Sequence, residues 1–193
     1  SEGRVLDDGD ACVYLGGDRR YWRVANDAGY GGSLRWTNAT SSAAPSNFAT
    51  WTMRFASAGE YELWLHLDPA YAQSRMAPYT VTSASGSEAI VVDQTESAMR
   101  SLGVFTFDAR VDYEVRVDDN SGEPVGDMVH IALDALEVRR VGGDEPDAGA
   151  PSVDAEMPLA DGGTSSAGRP IASCGCGAGR APSGWAWAAL AGL

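Results

Sequence analysis

Short stretches in which apolar and polar residues alternate recur from residue 5 to about residue 141, and this period of two constrains the fold more than any other feature. Residues 61–67 are the clearest example, because one face is apolar and the other carries Glu62, Trp64 and His66. Gly, Asn, Asp, Ser and Pro separate the stretches, and no helical period is sustained. The pattern is typical of antiparallel strands with one buried face.

Other stretches extend the same pattern. In residues 51–55, Trp51, Met53 and Phe55 alternate with polar residues, and Ala58-Gly59 then predicts a hairpin turn into residues 61–67. Further strands are predicted at residues 79–83, 89–93, 103–107, 111–117 and 129–138. Seven or more short strands bury their apolar faces best as two packed sheets. The predicted fold class is therefore all-β, an antiparallel two-sheet β-sandwich that is jelly-roll-like.

The composition changes abruptly after this region. Residues 142–173 are mostly Gly, Ala, Pro and Ser, with six acidic residues and Arg169, and they predict a flexible acidic tether. Residues 174–193 begin with Cys174-Gly-Cys176 and end in an apolar run of nine residues, whereas a membrane span needs about 20. We interpret the chain as one domain, residues 1–141, followed by a tether and a truncated tail, and as a fragment of a longer precursor.

The charge and the cysteine content exclude several classes of protein. The chain carries 27 acidic and 14 basic residues, a net charge of -13, so it would repel nucleic acid. Three cysteines form no repeating framework, which excludes a small disulfide-stapled fold. Cys12 is interpreted as a buried small apolar residue or as half of a bridge, rather than as a nucleophile.

Four segments carry a resemblance to a known family. They are APYTV at residues 77–81, IVVDQ at 90–94, SLGVFTF at 101–107 and LDALEV at 133–138. In this order they resemble the golvesin C-terminal-like domain, also described as the xanthan-lyase-type carbohydrate-binding-like domain. The resemblance implies a β-sandwich appended to secreted enzymes such as polysaccharide lyases, peptidases and amidases, where it contacts glycan or the cell surface.

Two further resemblances concern the possible parent protein and its location. Asp10-Ala11-Cys12 and residues 118–124 are similar to copies fused to N-acetylmuramoyl-L-alanine amidases in myxobacteria. The tail resembles the myxobacterial C-terminal sorting signal at Cys174 and Cys176, although its helix is cut short and its Arg cluster is absent. These resemblances imply a secreted or cell-surface protein of the bacterial envelope that meets a membrane only through its tail.

The sequence offers no catalytic constellation. The two histidines, His66 and His130, both fall in predicted strands, and no Gly-x-Ser-x-Gly elbow is present. Two histidines and Cys12, far apart in sequence, also lack the spacing of a zinc site. We predict that this segment is not an enzyme, and that any amidase ligands would lie upstream.

One loop is rich in oxygen ligands. The side chains that could bind a structural calcium are Asp118, Asp119, Asn120 and Glu123. The loop lacks the spacing of an EF-hand, and a hairpin turn built from Asp, Asn and Gly explains it equally. The acidic start, Asp7, Asp8 and Asp10, is interpreted as a solvated turn. No other cofactor is expected.

Sugar binding is the activity that the residues favour, because pyranose rings stack on exposed aromatic side chains while polar groups bind their hydroxyls. The candidate residues are Trp64, Tyr71, Gln73, Arg75, Trp22 and Trp36, with Tyr30 beside the last two in a Gly-rich loop region. The alternative for each ring is a packed position in the sandwich. We therefore predict a non-catalytic module that associates with polysaccharide, peptidoglycan or the envelope. The alternatives are the C-terminal fragment of a secreted hydrolase and a structural spacer or protein-contact domain.

Overall fold

The computed structural model describes residues 4–142, which contain twelve β-strands and three short 3-10 helices. The first six strands are β1 Arg4–Leu6, β2 Val13–Gly17, β3 Arg23–Asn26, β4 Ser33–Asn38, β5 Asn47–Arg54 and β6 Gly59–His66. The other six are β7 Ala77–Ser83, β8 Gly86–Val92, β9 Met99–Phe107, β10 Asp112–Asp118, β11 His130–Leu133 and β12 Leu136–Arg140. The 3-10 helices are Arg19–Tyr21, Tyr30–Gly32 and Val125–Asp127.

The strands form three antiparallel sheets. The five-stranded sheet has the order β2-β5-β10-β7-β8, and the four-stranded sheet has the order β1-β12-β6-β9. A third sheet has the order β11-β4-β3. The prediction of an all-β, jelly-roll-like sandwich is confirmed, and the small third sheet is an addition to it.

The alternating pattern accounts for the five-stranded sheet. The predicted apolar face at residues 51–55 is buried, and the register sets Trp51 opposite Val115 and Met53 opposite Tyr113. Val111, the first residue of the strand predicted at residues 111–117, is not part of this buried face, because it precedes β10 and is exposed. Side chains that point to the same face of paired strands pack against each other, which fixes this register.

The four-stranded sheet supplies the other half of the core. In β6 and the residue after it, Leu63, Leu65 and Leu67 are buried, while Trp64 and His66 on the opposite face are half-buried. Both sheets contribute to one apolar cluster, in which the rings of Phe55 and Phe107 stack with their centroids 4.3 Å apart. Burial of side chains of this size contributes about 1.5–3 kcal/mol each.

The predicted hairpin at Ala58-Gly59 is wrong. The strands that flank this turn belong to different sheets, since β5 pairs with β2 and β10, whereas β6 pairs with β12 and β9. Alternation shows which face of a strand is buried but not which strand lies beside it. The turn therefore connects the two layers of the sandwich.

The predicted strand at residues 129–138 is in fact two strands. β11 pairs with β4, and β12 pairs with β1 and β6, so the chain passes from one sheet to another at Asp134 and Ala135. Residues 131–136 are all buried, so both faces of this segment are covered. The sequence there shows no alternation that would reveal the break between the two strands.

The region of Trp22, Tyr30 and Trp36 was predicted as a loop, and this is corrected by the structure. β3 and β4 form an antiparallel hairpin here, with Trp36 inside β4 and Tyr30 in the connection. The connection contains Gly29 and Gly31, both with a φ of 74°. Glycine is favoured at position 31 because its φ of 74° is a backbone conformation that other residues rarely adopt, and a Cβ there would also displace the Asp7 carboxylate.

The predicted tether and tail, including Cys174 and Cys176, lie outside the described residues except for Gly142, so those domain boundaries stay a prediction. Cys12 is buried and engaged in a disulfide. In residues 4–142 no helix is long and apolar enough to cross a membrane.

Candidate functional site

An aromatic cluster lies on the three-stranded sheet. Trp36 of β4 stacks on His130 of β11 with the ring centroids 3.7 Å apart, and the ring of Tyr71 lies 6.4 Å from that of Trp36. The guanidinium of Arg23, in β3, lies over the Trp36 ring at 4.7 Å from its centroid. With Gln73, these residues form what we call the Trp36 cluster.

The segment after β6 is held against β11 by hydrogen bonds. The backbone N–H groups of Gln73 and Ser74 donate to the carbonyl of His130 at 3.1 and 3.0 Å, and the N–H of His130 donates to Oε1 of Gln73 at 3.3 Å. The carbonyl of Asp68 accepts from the N–H of Tyr71 at 3.0 Å. The cluster is therefore built from three strands and one loop whose backbone is fixed.

The electrostatics of the cluster favour a neutral histidine. Burial, followed by the nearby charge of Arg23, lowers the pKa of His130 below its ordinary value of 6.5. The Nδ1 atom of this ring is buried and has no hydrogen-bond partner in the described part of the chain. Because the imidazole stays neutral at pH 7, Arg23 is the cation of the cluster, and its position over Trp36 is a cation–π contact.

Three of the predicted sugar-binding residues thus come together: Trp36, Tyr71 and Gln73. Trp36 and Tyr71 are half-buried, and Gln73 is exposed. The side chain of Arg75, two residues after Gln73, is exposed, and its backbone N–H donates to Oε1 of Glu123 at 3.1 Å. Sequence reasoning missed the roles of Arg23 and His130, which reach the cluster only through strand pairing.

The two remaining predicted tryptophans lie elsewhere. Trp22 is 9% exposed and its indole Nε1 donates to the carbonyl of Gly16 at 3.1 Å, so this ring takes the packed position that the sequence left open as the alternative. Trp64 lies half-buried on the outer face of the four-stranded sheet, with the guanidinium of Arg139 at 5.0 Å from its ring centroid. Neither belongs to the Trp36 cluster.

The contacts of the His66 side chain are those of a structural residue. Its Nε2 lies 3.1 Å from Oε2 of Glu137, whose other oxygen accepts from Nε of Arg139 at 2.8 Å. The ring also contacts that of Tyr30, with the centroids 4.8 Å apart. His66, expected on the solvent face, is half-buried in this network.

The loop predicted to bind calcium uses its oxygens in other contacts. Asp119 accepts from the N–H groups of Ser46 and Asn47, each at 2.8 Å, and Oδ1 of Asp118 lies 2.6 Å from Nη2 of Arg116. Oε2 of Glu123 accepts from the hydroxyls of Ser74 and Ser121, at 2.6 and 2.8 Å. The Nδ2 group of Asn120 donates to the carbonyl of Ala43 at 3.4 Å.

Such contacts are those of a loop that holds the start of β5 and the segment before β7. No group of three or more acidic, His or Cys side chains in residues 4–142 is arranged to hold a metal. Calcium binding at Asp118, Asp119, Asn120 and Glu123 stays a prediction that these contacts do not support.

A buried carboxyl group was not found by sequence reasoning. Asp134 is 2% exposed, and its Oδ1 accepts from the N–H of Tyr30 at 2.8 Å. Burial, reinforced by the charges of Asp7, Asp8 and Asp68, raises its pKa to about 7. Of the three acidic residues interpreted as a solvated turn, Asp10 is exposed as expected, whereas Asp7 is half-buried and Asp8 is buried.

The geometry defines a jelly-roll-like β-sandwich that carries an aromatic cluster on a small accessory sheet. Residues 18–133, more than half of the chain, match the Golvesin C-terminal domain family. The chain belongs to this family. No curated protein matches it.

The fold is also similar to solved structures, to parts of two enzymes and to one whole module. A xanthan lyase from Paenibacillus is 18% identical with a TM-score of 0.60, over 72% of this chain and 13% of the lyase. A GH26-CBM35 β-(1,4)-mannanase from Podospora anserina is 13% identical with a TM-score of 0.48, over 75% of this chain and 29% of the mannanase. A family 35 carbohydrate-binding module from Clostridium thermocellum is 14% identical with a TM-score of 0.45, over 73% of this chain and all of the module.

Proposed function

We propose that residues 4–142 form a non-catalytic accessory domain that binds glycan through the Trp36 cluster. The observation that carries the proposal is the stack of Trp36 on His130, with Tyr71 beside it and Arg23 over the indole. Aromatic rings next to exposed hydrogen-bonding side chains suit the apolar face and the hydroxyl groups of a sugar.

The polar side chains around the rings supply both kinds of hydrogen bond. Arg23 and Gln73 are exposed, and they offer guanidinium donors and an amide. Asn38 lies opposite His130 in the β4–β11 pair, but its Oδ1 is buried, so it is not among the acceptors offered to a ligand. A ligand that contacts the rings is therefore within the same surface as several donors and acceptors.

The family and the xanthan lyase fold support an accessory role. The matched region spans 13% of the lyase chain, which suits a domain attached to a larger enzyme. We propose the same arrangement here: a secreted or cell-surface protein of the bacterial envelope, with polysaccharide or peptidoglycan as the partner. The parent enzyme is proposed to be a hydrolase, such as an N-acetylmuramoyl-L-alanine amidase.

The test is titration calorimetry of the protein against xanthan, neutral polysaccharides and peptidoglycan fragments. Arg23→Ala and Trp36→Ala are each expected to weaken binding by about tenfold, the effect of losing one ring or cation contact. Trp64→Ala is the matched control, since it removes a half-buried indole from a different sheet. No heat with any glycan, or an equal loss in the control, would remove the proposal.

A second candidate function is a structural spacer or protein-contact domain. The observation that favours it is the packing of Trp22 and the cover of Arg139 on Trp64, which leave fewer free rings than the sequence suggested. The spacer would be supported if the domain binds no glycan and keeps a fixed orientation relative to the enzyme to which it is attached.

A further inference from the structure

A cleft of about 290 Å³ lies apart from the Trp36 cluster, between β2 and the three-stranded sheet. The side chains that give it chemistry are Asp8, Asp10, Tyr14, Arg19, Trp22 and Arg35. Its volume is at the lower end of the range for small-molecule sites, about 300–1,000 Å³, and suits one ring better than a chain of them.

Two aromatic side chains shape this cleft. Tyr14 is 59% exposed, and its ring centroid lies 6.0 Å from that of Phe48 on the neighbouring strand. The indole N–H of Trp22 is already bound to the carbonyl of Gly16, so its ring is held in place by that contact. The cleft therefore combines an exposed phenol ring with a fixed, buried indole.

The charged groups of the cleft balance each other. Two carboxylates, Asp8 and Asp10, face two guanidinium groups, Arg19 and Arg35, in a chain whose net charge is -13. Nε of Arg35 lies 3.1 Å from Oδ2 of Asp8, although its N–H makes no hydrogen bond. Arg19 is exposed and has no ion pair within residues 4–142.

Balanced charges favour an uncharged ligand with many hydroxyl groups. Carboxylates accept from two neighbouring hydroxyls, and a guanidinium donates to two oxygens in a fixed plane. An anionic ligand would gain from Arg19 but would meet the carboxylate of Asp10, and the buried Asp8 is already paired with Arg35, so charge gives such a ligand no advantage. The same set beside an exposed phenol ring suits the hydroxyls and the C–H face of a pyranose.

We propose that this cleft is a second sugar subsite, which binds a single uncharged pyranose unit against Tyr14, with Asp10 and Arg19 contacting its hydroxyls. The inference rests on the proposed glycan-binding function. It is a separate site because Arg35 and Trp36 are consecutive in β4, and consecutive side chains of a strand point to opposite faces. Two subsites on one domain would strengthen binding to a polymer that reaches both.

The test is NMR titration of the full chain with methyl glycosides of glucose, galactose, mannose and N-acetylglucosamine, and with glucuronate as the charged comparison. At least one neutral glycoside is expected to shift the indole N–H signal of Trp22. Tyr14→Ala and Arg19→Ala change exposed side chains and are expected to weaken this binding at least tenfold, whereas the exposed control Val91→Ala leaves it unchanged.

The outcomes separate this inference from the function on which it rests. Sugar binding that Arg23→Ala removes and Tyr14→Ala leaves intact would overturn the second subsite and keep the proposed function. A preference for glucuronate at Trp22 would overturn the uncharged ligand. An absence of any sugar-induced shift would overturn the inference and the proposed function together.

Discussion

Arg35 and Trp36 are neighbours in β4 and serve opposite faces of the three-stranded sheet. Arg35 reaches Asp8 in the cleft beside β2, and Trp36 stacks on His130. The alternation that the sequence uses to bury a core elsewhere here places a charged side chain in one candidate site and an aromatic side chain in the other. β4 is therefore the element that both proposals share.

Asp134 makes stability depend on pH. The folded pKa of Asp134, about 7, lies above its ordinary value of 3.8. Its contribution to the free energy of unfolding is therefore fully present below pH 3.8 and is lost as the pH rises through about 7. Asp134→Asn can keep the hydrogen bond from Tyr30 without the charge. We expect the free energy of unfolding of the variant, relative to the parent, to increase between pH 5 and pH 8 by a few kcal/mol, at about 1.4 kcal/mol per unit of pKa shift.

The measurement is urea unfolding across that pH range. Asp93→Asn is the control, because the hydrogen bonds from Thr95 lower the pKa of this exposed carboxyl, and its effect is lost only at more acidic pH. Parallel curves for the parent and Asp134→Asn would contradict the buried, proton-binding carboxyl.

Gly16 gives the Phe48 ring its place on the sheet. A Cβ at this position would lie 2.2 Å from Cζ of Phe48, whose ring also carries the guanidinium of Arg116 at 3.7 Å. We expect Gly16→Ala to lower the free energy of unfolding by about 1–3 kcal/mol, the cost of overpacking. Gly9→Ala, where nothing lies within 4 Å of the added Cβ, should change stability little. Thermal melts of the two variants check this, and equal melting temperatures would disprove the steric argument.

Gln94 links β11 to the five-stranded sheet. Its buried amide donates to the hydroxyl of Tyr79 at 2.9 Å and to the carbonyl of Ala132 at 3.0 Å, and its Oε1 accepts from the N–H of Ala132. Gln94→Leu would leave these groups buried without partners, at about 1–3 kcal/mol each. We expect a larger loss in chemical denaturation than for Tyr79→Phe, which removes one partner only. A smaller loss would show that water replaces the amide.

Asp119 holds the start of β5. Its carboxylate accepts from the N–H groups of Ser46 and Asn47, although burial raises its pKa. Asp119→Ala is expected to destabilise the domain by about 1–3 kcal/mol. If the loop works through these contacts, the loss is the same with EDTA and with calcium. A loss seen only with calcium present would instead support the calcium prediction.

The sequence predicted the buried face of a strand correctly where the apolar and polar residues within that strand alternate. The faces of β6 and β10 follow from alternation alone, because each strand has one buried side. It failed at the turn after β5 and within residues 131–136, because partner choice depends on distant strands and a segment buried on both faces shows no alternation.

The candidate site was predicted only in part for the same reason. The sequence identified Trp36, Tyr71 and Gln73 because aromatic and polar residues near loops and glycines are often exposed. His130 lies 94 positions after Trp36, and only the β4–β11 pair brings the two rings into contact. The raised pKa of Asp134 likewise depends first on its burial and then on acidic residues such as Asp7 and Asp8 from the start of the chain, which no local pattern indicates.

The connection between β11 and β12 consists only of Asp134 and Ala135. Both residues are buried, so the backbone that carries His130 continues directly into the sheet that contains Leu63 and Leu65. A ligand on the Trp36 cluster would meet a preorganised surface, and the entropy lost on binding would be mainly that of the ligand and a few side chains. Selectivity would then come from the shape of the unliganded domain, with little contribution from induced fit.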